Sequence, residues 1–306
     1  MHISVLLHEV IDGLQLQPNT NVVDATLGYG GHTQLALDNI APHGKVIAFE
    51  RDLRTMRATQ ERLKAYGDRL ICIHGSYAEL RERAEEIRKH GPIHAIMADL
   101  GLSSLQLDQE QRGFSFRFQS PLDMRFDETQ QRTAATLLRD SDERTLQNIF
   151  TRYGDVPFAR RLSQRIVQER STHPLHTTSD LIMCVESCVG KRIADKHMAQ
   201  IFQSVRIAVN DELAQLEAFL PASIASVESG GRIAIISFHS GEDRMVKRFF
   251  EEEATDCVCP PEFPECRCTH RARIWKVTKK PIEPSEIEIH TNPRARSAKL
   301  RIVEKK

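Results

Sequence analysis

Asp24-Ala25-Thr26-Leu27-Gly28-Tyr29-Gly30-Gly31-His32 is the stretch on which the reading of this chain turns. Apolar Val22 and Val23 precede it, and Leu35, Ala36, Leu37 and Ile40 follow at helical spacing. It is therefore the turn between a buried strand and its crossover helix. In an open α/β sheet, ligands bind beyond the carboxyl ends of the strands, and glycines there let backbone approach where a Cβ would collide. A second apolar strand, Val46-Ile47-Ala48-Phe49-Glu50, ends in a carboxylate, placed to accept hydrogen bonds from both hydroxyls of a ribose. The glycine loop alone would fit a surface turn; loop and acid together point to an adenosine-type ligand.

A dinucleotide fingerprint needs a third glycine at the helix start for close packing on the sheet, and His32 and Thr33 stand there instead. This loop suits S-adenosylmethionine better than a pyrophosphate, with Asp24 or the backbone meeting the methionine part. The next strand, Leu70-Ile71-Cys72-Ile73, ends at His74-Gly75-Ser76-Tyr77. Tyr77 either stacks on an adenine ring or simply opens the following helix, whose Leu80, Ala84 and Ile87 share a face before Gly91-Pro92. Strand four, Ile93 to Ala98, runs into Asp99-Leu100-Gly101-Leu102-Ser103-Ser104. Asp99 is an acid at the strand end that meets the reacting atoms in such folds; its plainer role is to cap a helix. The Pro-Pro-aromatic sequence common in enzymes that methylate base amines is missing here.

The chain has 306 residues, no formal net charge and seven cysteines. That length forms one large domain, or one domain carrying an insertion. Zero net charge argues against a protein that coats nucleic acid through bulk positive charge, so RNA binding must use local patches. The run Val5-Leu6-Leu7 is soon interrupted by His8, Glu9 and Asp12, and nowhere do about eighteen apolar residues stand together. A soluble cytoplasmic protein with no membrane segment is expected. Residues 2–17 carry Val5, Leu6, Val10, Ile11 and Leu14 at the spacing of a short packing helix.

From Gln106 the rhythm changes. Arg112-Gly113-Phe114-Ser115-Phe116-Arg117-Phe118 interleaves arginines with aromatics, and Pro121 to Asp127 follows. Such a run either stacks on RNA or anchors a loop in the core. Helical patterns then end at Gly154, Pro174 and Gly190. We read an α/β domain over 1–105 and 201–306, with a helical insertion over 106–200 for RNA recognition. Arg160, Arg161, Arg165, Lys191 and Arg192 are its candidate phosphate contacts, or solvated helix faces.

The α/β pattern returns with Leu213, Leu216, Leu220, Ile224 and Val227 on one stripe, a turn at Gly230-Gly231, and a strand Arg232 to Ile236. It ends in Ser237-Phe238-His239-Ser240-Gly241-Glu242-Asp243, where His239 either orients a target base or caps the next helix. Cys257, Cys259, Cys266 and Cys268 fall within twelve residues, with His270 nearby. A structural zinc clip fits four thiols in a reducing compartment, although Cys-x-Cys pairs are tighter than the usual knuckle; a flexible reduced loop is the other reading. Two tail runs, Ile274 to Thr278 and Ala298 to Val303, pair antiparallel at the sheet edge, and between them Arg294 and Arg296 offer a phosphate or base clamp.

Several stretches together resemble the ribosomal RNA small-subunit methyltransferase H family, also called MraW. They are His2 to Val10, Asp24 to Thr33, Asp99 to Ser104 with Gln106, Arg112 to Phe116, Pro121 to Arg125, Phe202 to Ile207 with Val209-Asn210, Ser237 to Ser240, and Asn292 to Ser297. The resemblance implies a class I, Rossmann-like methyltransferase sheet with a helical insertion and S-adenosylmethionine as donor. It also implies the exocyclic N4 of a cytidine in the decoding region of small-subunit ribosomal RNA as acceptor, on free RNA or on the assembled subunit. Carried over by position, cofactor contacts fall on Gly30, Gly31, His32, Glu50, Tyr77, Asp99 and Gln106. Glu50 stands where the family usually has Asp, Tyr77 where Phe is common, and Gly241 in place of a Leu. Lys196 to Gln200 lacks the family's Pro-Ala-Thr-Arg. Asp99 and His239 are the candidate catalytic residues, Asp99 and the Ser103-Ser104 loop shaping the transfer centre and His239 orienting the amine. A nicotinamide-dependent oxidoreductase and a non-catalytic RNA-binding assembly factor are the rival readings. The oligomeric state is open; a homodimer is compatible with the sequence.

Overall fold

The computed structural model describes residues 4–102, 110–260, 262–263 and 265–306. By contact density the chain falls into two units, Met1–Gly101 with Ala214–Lys306, and Leu102–Leu213.

The first unit is built on seven strands: β1 Val22–Asp24, β2 Val46–Glu50, β3 Leu70–His74, β4 Ile93–Asp99, β5 Val227–Ser237, β6 Ile274–Lys276 and β7 Lys299–Lys305. Their order is β3-β2-β1-β4-β5-β7-β6. Strands β1 to β5 run parallel, β7 lies antiparallel on β5, and β6 antiparallel on β7. The tail strands thus pair as expected. The sheet is buried on both faces, so its central strands read as continuous apolar runs. Alternate residues serve opposite layers: Val22, Val46, Ala48 and Met97 pack with Val10, Ile11, Leu37 and Ile40, while Val23, Ile47, Phe49 and Ile96 pack with Leu80, Phe219, Val246 and Phe250. Helices Leu7–Leu14 and Gly31–Asn39 supply the first layer. Strand order reverses between β1 and β4, which sets the ligand crevice at the carboxyl ends of β1, β2 and β4.

The structure departs from the expected elements at two places here. The helix after β3 is split into a 3-10 turn, Tyr77–Leu80, and a short helix, Ala84–Arg88. Gly230-Gly231 does not precede β5 but lies within it: Ile93 pairs with Val227 and Ala95 with Arg232, so residues 228–231 bulge out. A Cβ on Gly231 would stand 2.5 Å from the carbonyl oxygen of His94, which is why the bulge takes glycine.

The second unit is helical: Ala134–Asp140, Glu143–Gly154, Ala159–Glu169, Thr178–Val189 and Lys191–Asn210. Thr133, Asp142 and Thr177 cap three of these by accepting the backbone N–H of the third helical residue. The expected edge at residue 200 falls inside the continuous helix Lys191–Asn210. Ile201, Phe202, Val205 and Val209 are buried with Leu146, Phe150 and Leu162, so one core carries the unit on to residue 213.

The arginine–aromatic run is buried in its first half and exposed in its second. Arg112 is buried, its Nη2 donating to the carbonyls of Arg125 at 2.6 Å and Phe126 at 3.0 Å, with its guanidinium over Phe114. Phe114 packs on Phe126. Phe116, Arg117 and Phe118 are exposed. Asn210 locks this segment to its helix: Oδ1 accepts Phe126 N–H at 2.8 Å, and Nδ2 donates to Met124 O at 2.7 Å and Arg206 O at 3.0 Å. Asn210→Ala strands a buried N–H and a buried carbonyl at once. A loss of roughly 2–4 kcal/mol in urea unfolding is expected, against under about 1 kcal/mol for Arg160→Ala on the exposed face of its helix.

Candidate active site

The site assembles from the carboxyl ends of β1, β2 and β4. Asp24, which ends β1, is buried; Oδ1 accepts Thr26 N–H at 2.9 Å and Oδ2 accepts the Thr33 hydroxyl at 2.5 Å. Burial raises its pKa to about 6 against these stabilising bonds. Glu50, ending β2, accepts Gly28 N–H at 3.0 Å and Asp52 N–H at 2.9 Å, and burial raises it to about 7. The acid expected to take the ribose therefore also holds the glycine loop. Thr59 closes the same loop from the neighbouring helix Leu53–Arg62, its hydroxyl donating to Gly28 O at 2.7 Å, while Arg62 donates to Tyr29 O.

Gly30 adopts φ +76°, and a Cβ there would meet Thr59 and Leu63 at 2.7 and 2.9 Å; on Gly31 it would meet the Ser4 hydroxyl. At these positions glycine is required by the loop's packing against the protein. His32 is buried, with Nε2 3.0 Å from Val5 O and Nδ1 3.8 Å from Asp99 Oδ2.

Asp99 ends β4. Its backbone N–H donates to Thr26 Oγ1 at 2.7 Å, joining the ends of β4 and the loop. The side chain keeps 29% of its surface open, yet Oδ1 is sealed with no hydrogen-bond partner among the described residues. Burial raises its pKa to about 8, helped by the negative charges of Asp24 and Glu242. Tyr77 opens the turn after β3, edge-on to Phe219 at 5.1 Å. Gln106, Ser103 and Ser104 lie outside the described residues.

His239 caps the helix Ser240–Glu253. Its Nδ1 accepts Gly241 N–H at 3.2 Å and Glu242 N–H at 3.4 Å, so the hydrogen of the neutral ring sits on Nε2, 3.2 Å from Glu242 Oε1. Glu242 is itself buried and accepts Phe238 N–H at 3.0 Å. Thr26, Thr33, Thr59 and Glu242 were not assigned site roles from sequence. Thr26 lies in the loop that opened the reading, and Glu242 three residues after His239, but only the fold reveals their partners.

Elsewhere in the first unit, the Sγ atoms of Cys257, Cys259, Cys266 and Cys268 lie within 4.8 Å of one another. Cys266 and Cys268 are 3.6 Å apart, Cys268 and Cys257 3.8 Å, and Arg267 N–H donates to Cys259 Sγ at 3.3 Å. His270 turns away to the carbonyl of Glu252. No helix among the described residues is long and apolar enough to cross a membrane.

This sheet, its glycine loop and its strand-end acids define a class I methyltransferase. The chain matches the model of the MraW methylase family over residues 1–306. It belongs to that family. A protein of Dehalococcoides mccartyi named ribosomal RNA small subunit methyltransferase H is 40% identical over 99% of this chain and 86% of its own length. One of the same name from Trichlorobacter lovleyi is 42% identical over 99% and 98%. An rRNA methylase structure from Streptococcus thermophilus aligns over 100% of this chain and 99% of its own at 13% identity and a TM-score of 0.44, too loose a likeness to add to that assignment.

The raised carboxyls carry a stability signature. Between the unfolded and folded pKa of Asp99, 3.8 and about 8, the folded state holds the extra proton, so its contribution to stability declines as pH rises. Asp99→Asn removes that contribution. Compared by urea unfolding across pH 4 to 8, the variant should gain stability relative to the parent as pH increases; a flat or opposite difference would contradict the assignment.

Proposed function

We propose that this chain is an S-adenosylmethionine-dependent methyltransferase acting on the exocyclic N4 of a cytidine in the decoding region of small-subunit ribosomal RNA. The observation that carries the reading is the Asp99 carboxyl, which keeps 29% of its surface open and whose Oδ1 has no partner among the described residues, beside the buried acids Asp24 and Glu242. Such a site suits a ligand that brings positive charge and N–H donors, and disfavours a diphosphate. The relatives' names support ribosomal RNA as the substrate, and the motif resemblance supports cytidine N4 as the target.

When bound, S-adenosylmethionine supplies a methyl group made electrophilic by its sulfonium. Glu50 is placed to accept the ribose hydroxyls, Tyr77 to meet the adenine, and Asp24 or Asp99 to accept from the methionine ammonium. Cytosine N4 is a weak nucleophile because its lone pair is delocalised into the ring, so the protein must orient the amine and accept a hydrogen bond or proton. Asp99 is the group for that. His239 is not a base in this arrangement, since backbone N–H groups already use its Nδ1 lone pair. RNA recognition falls to the helical unit, where Phe116 and Phe118 flank Arg117 on the surface, and Arg160, Arg161 and Arg192 are exposed. Arg294 and Arg296 also project outward around the buried Ala295.

The Cys257, Cys259, Cys266 and Cys268 cluster fits structural zinc. A tetrahedron with Zn–S near 2.3 Å sets thiolates about 3.8 Å apart, close to the separations here, and an N–H donated to sulfur is a usual supporting contact around such thiolates. The ion would tie the loop after helix Ser240–Glu253 and has no part in the chemistry.

Incubating the protein and S-adenosylmethionine with unmodified small ribosomal subunits, or with their naked RNA, should yield N4-methylcytidine by nucleoside mass spectrometry. Cofactor binding without methylation of either would favour the assembly-factor reading. Asp99→Ala should lower kcat by about 100-fold or more, and full turnover would count against the assignment. Protein purified without chelator should hold one zinc per chain by elemental analysis, and Cys259→Ser with Cys268→Ser should lose it. Four freely titrating thiols and no metal would remove the clip.

A further inference from the structure

The outer edge of the first unit gathers positive charge in one cleft. Helix Ser240–Glu253 packs along β6 and β7, and between them Lys247, Lys276, Lys279 and Arg301 line a narrow opening with the single acid Glu251. The strand register explains why they meet. Lys276 stands directly opposite Val303 in the antiparallel pair, and directly opposed residues share a face of the sheet. Val303 packs with Val246 and Phe250 of the helix, so Lys276 rises on the helix side. Lys299 and Arg301 alternate with the buried Leu300 and Ile302 of the opposite layer and share that side. Both meet Asp243 of the helix: Arg301 Nε donates to Oδ1 at 2.8 Å, and Lys299 Nζ lies 3.8 Å from Oδ2. Glu304 takes the other face and accepts from Arg232 Nε at 2.9 Å.

Charge on this face is unbalanced. The cations Lys247, Lys276, Lys279, Lys299 and Arg301 stand against the acids Asp243 and Glu251 alone. Lys247 meets Glu251 at 3.8 Å with both side chains about half exposed, a pairing of little strength in water. Lys276 and Lys279 are exposed and meet no carboxylate among the described residues. Lysines held together repel one another, and a polyanion laid across them relieves that repulsion. The cleft is also placed to receive one. Lys299 pairs in register with Ser237, the last residue of β5, so the row begins at the carboxyl end of the sheet, the end that holds the crevice. Lys276, opposite Val303, lies four residues further along β7, about 13 Å. We propose that this cleft between helix Ser240–Glu253 and strands β6 and β7 binds the phosphate backbone of the substrate RNA away from the target nucleotide. Lys247, Lys276 and Lys279 neutralise phosphates, while Arg301 and Lys299, held by Asp243, form the wall. Lysine ammonium groups act there as point charges and read no sequence. The inference rests on the RNA methyl-transfer reading above and adds a contact on the α/β unit to those assigned to the helical one.

Binding of labelled naked small-subunit RNA by the full-length protein, followed by fluorescence anisotropy across a series of salt concentrations, tests this without turnover. Lys247→Gln, Lys276→Gln and Lys279→Gln combined should weaken binding about 10-fold at physiological salt and flatten the slope of log affinity against log salt by about three. The same loss should appear with an unrelated RNA of equal length, because phosphate contacts carry no sequence. Arginine at all three positions should bind as the parent does. Removing the same charge at the amino ends of the strands, with Lys64→Gln, Arg88→Gln and Lys89→Gln, should change the slope by less than about one. In turnover the glutamine variant should raise the KM for RNA, with kcat at saturating RNA and the KM for S-adenosylmethionine within about twofold of the parent. Lys276→Gln alone, on an exposed strand face, should flatten the slope by about one and repeats the test should the triple variant not fold. An unchanged slope in the glutamine variants, or an equal loss from the amino-end substitutions, overturns the proposal. A loss confined to assembled subunits, with naked RNA bound as before, assigns the cleft to a ribosomal protein and also overturns it. If the parent binds RNA through these lysines yet methylates none, the methyl-transfer reading fails and the cleft stands.

Discussion

Carboxylates buried or half-buried at adjacent parallel strand ends are the constraint around which this site is built. Asp24 pairs in register with Ala48 of β2 and Met97 of β4, so Glu50 and Asp99 each reach two residues beyond it at the same edge of the sheet. Bringing acids out of water is costly unless donors meet them. The donors come from the loop itself, Thr26 N–H and the Thr33 hydroxyl on Asp24 and Gly28 N–H on Glu50. The loop conformation and the ionisation of the site are thus one problem with one solution. Asp99 departs from the pattern, since among the described residues its Oδ1 receives no such donor.

We propose that this difference divides the work. Asp24 and Glu50 are engaged in ordering the loop, and a ligand shares them with backbone donors already in place. Asp99 has acceptor capacity left over and a raised pKa, the combination that makes a carboxylate useful as a proton acceptor near neutrality. His239 looked comparable by position, at the end of the adjacent strand β5. Its protonation pattern separates the two, because capping a helix uses the only lone pair its neutral ring has.

Strands β1 to β4 were legible because each is a short apolar run ended by a polar residue, and β2, β3 and β4 stop at Glu50, His74 and Asp99 as their patterns indicate. Asp24, Glu50 and Asp99 were legible for the same reason, since strand ends in such a sheet mark the crevice. Pattern could not reveal what depends on distant partners. The run Lys196 to Gln200 carries few apolar residues, and the edge of the insertion was placed at residue 200, although Met198 is buried and the helix Lys191–Asn210 continues through Phe202 to Asn210. Arg112 and Arg117 stand in the same motif, yet one is sealed beneath two carbonyls and the other is exposed. Glu242 has its place only through the packing of the helix it begins on β5, β6 and β7, which brings its charge near Asp99.

The helix Ser240–Glu253 joins the chemistry to the cysteine cluster. His239 holds its first turn, while at the far end Arg273 pairs with buried Glu253 and His270 meets the carbonyl of Glu252. Both partners of that far end follow the cysteines in sequence and lead into β6. If the four thiols hold the proposed zinc, that cross-link would shorten the loop between the helix and its anchors, limiting the loop's conformational freedom and the entropy lost in making those contacts. The cluster would then bear on the site through the placement of one helix. Glu242, in that helix's first turn, is where such an effect reaches Asp99.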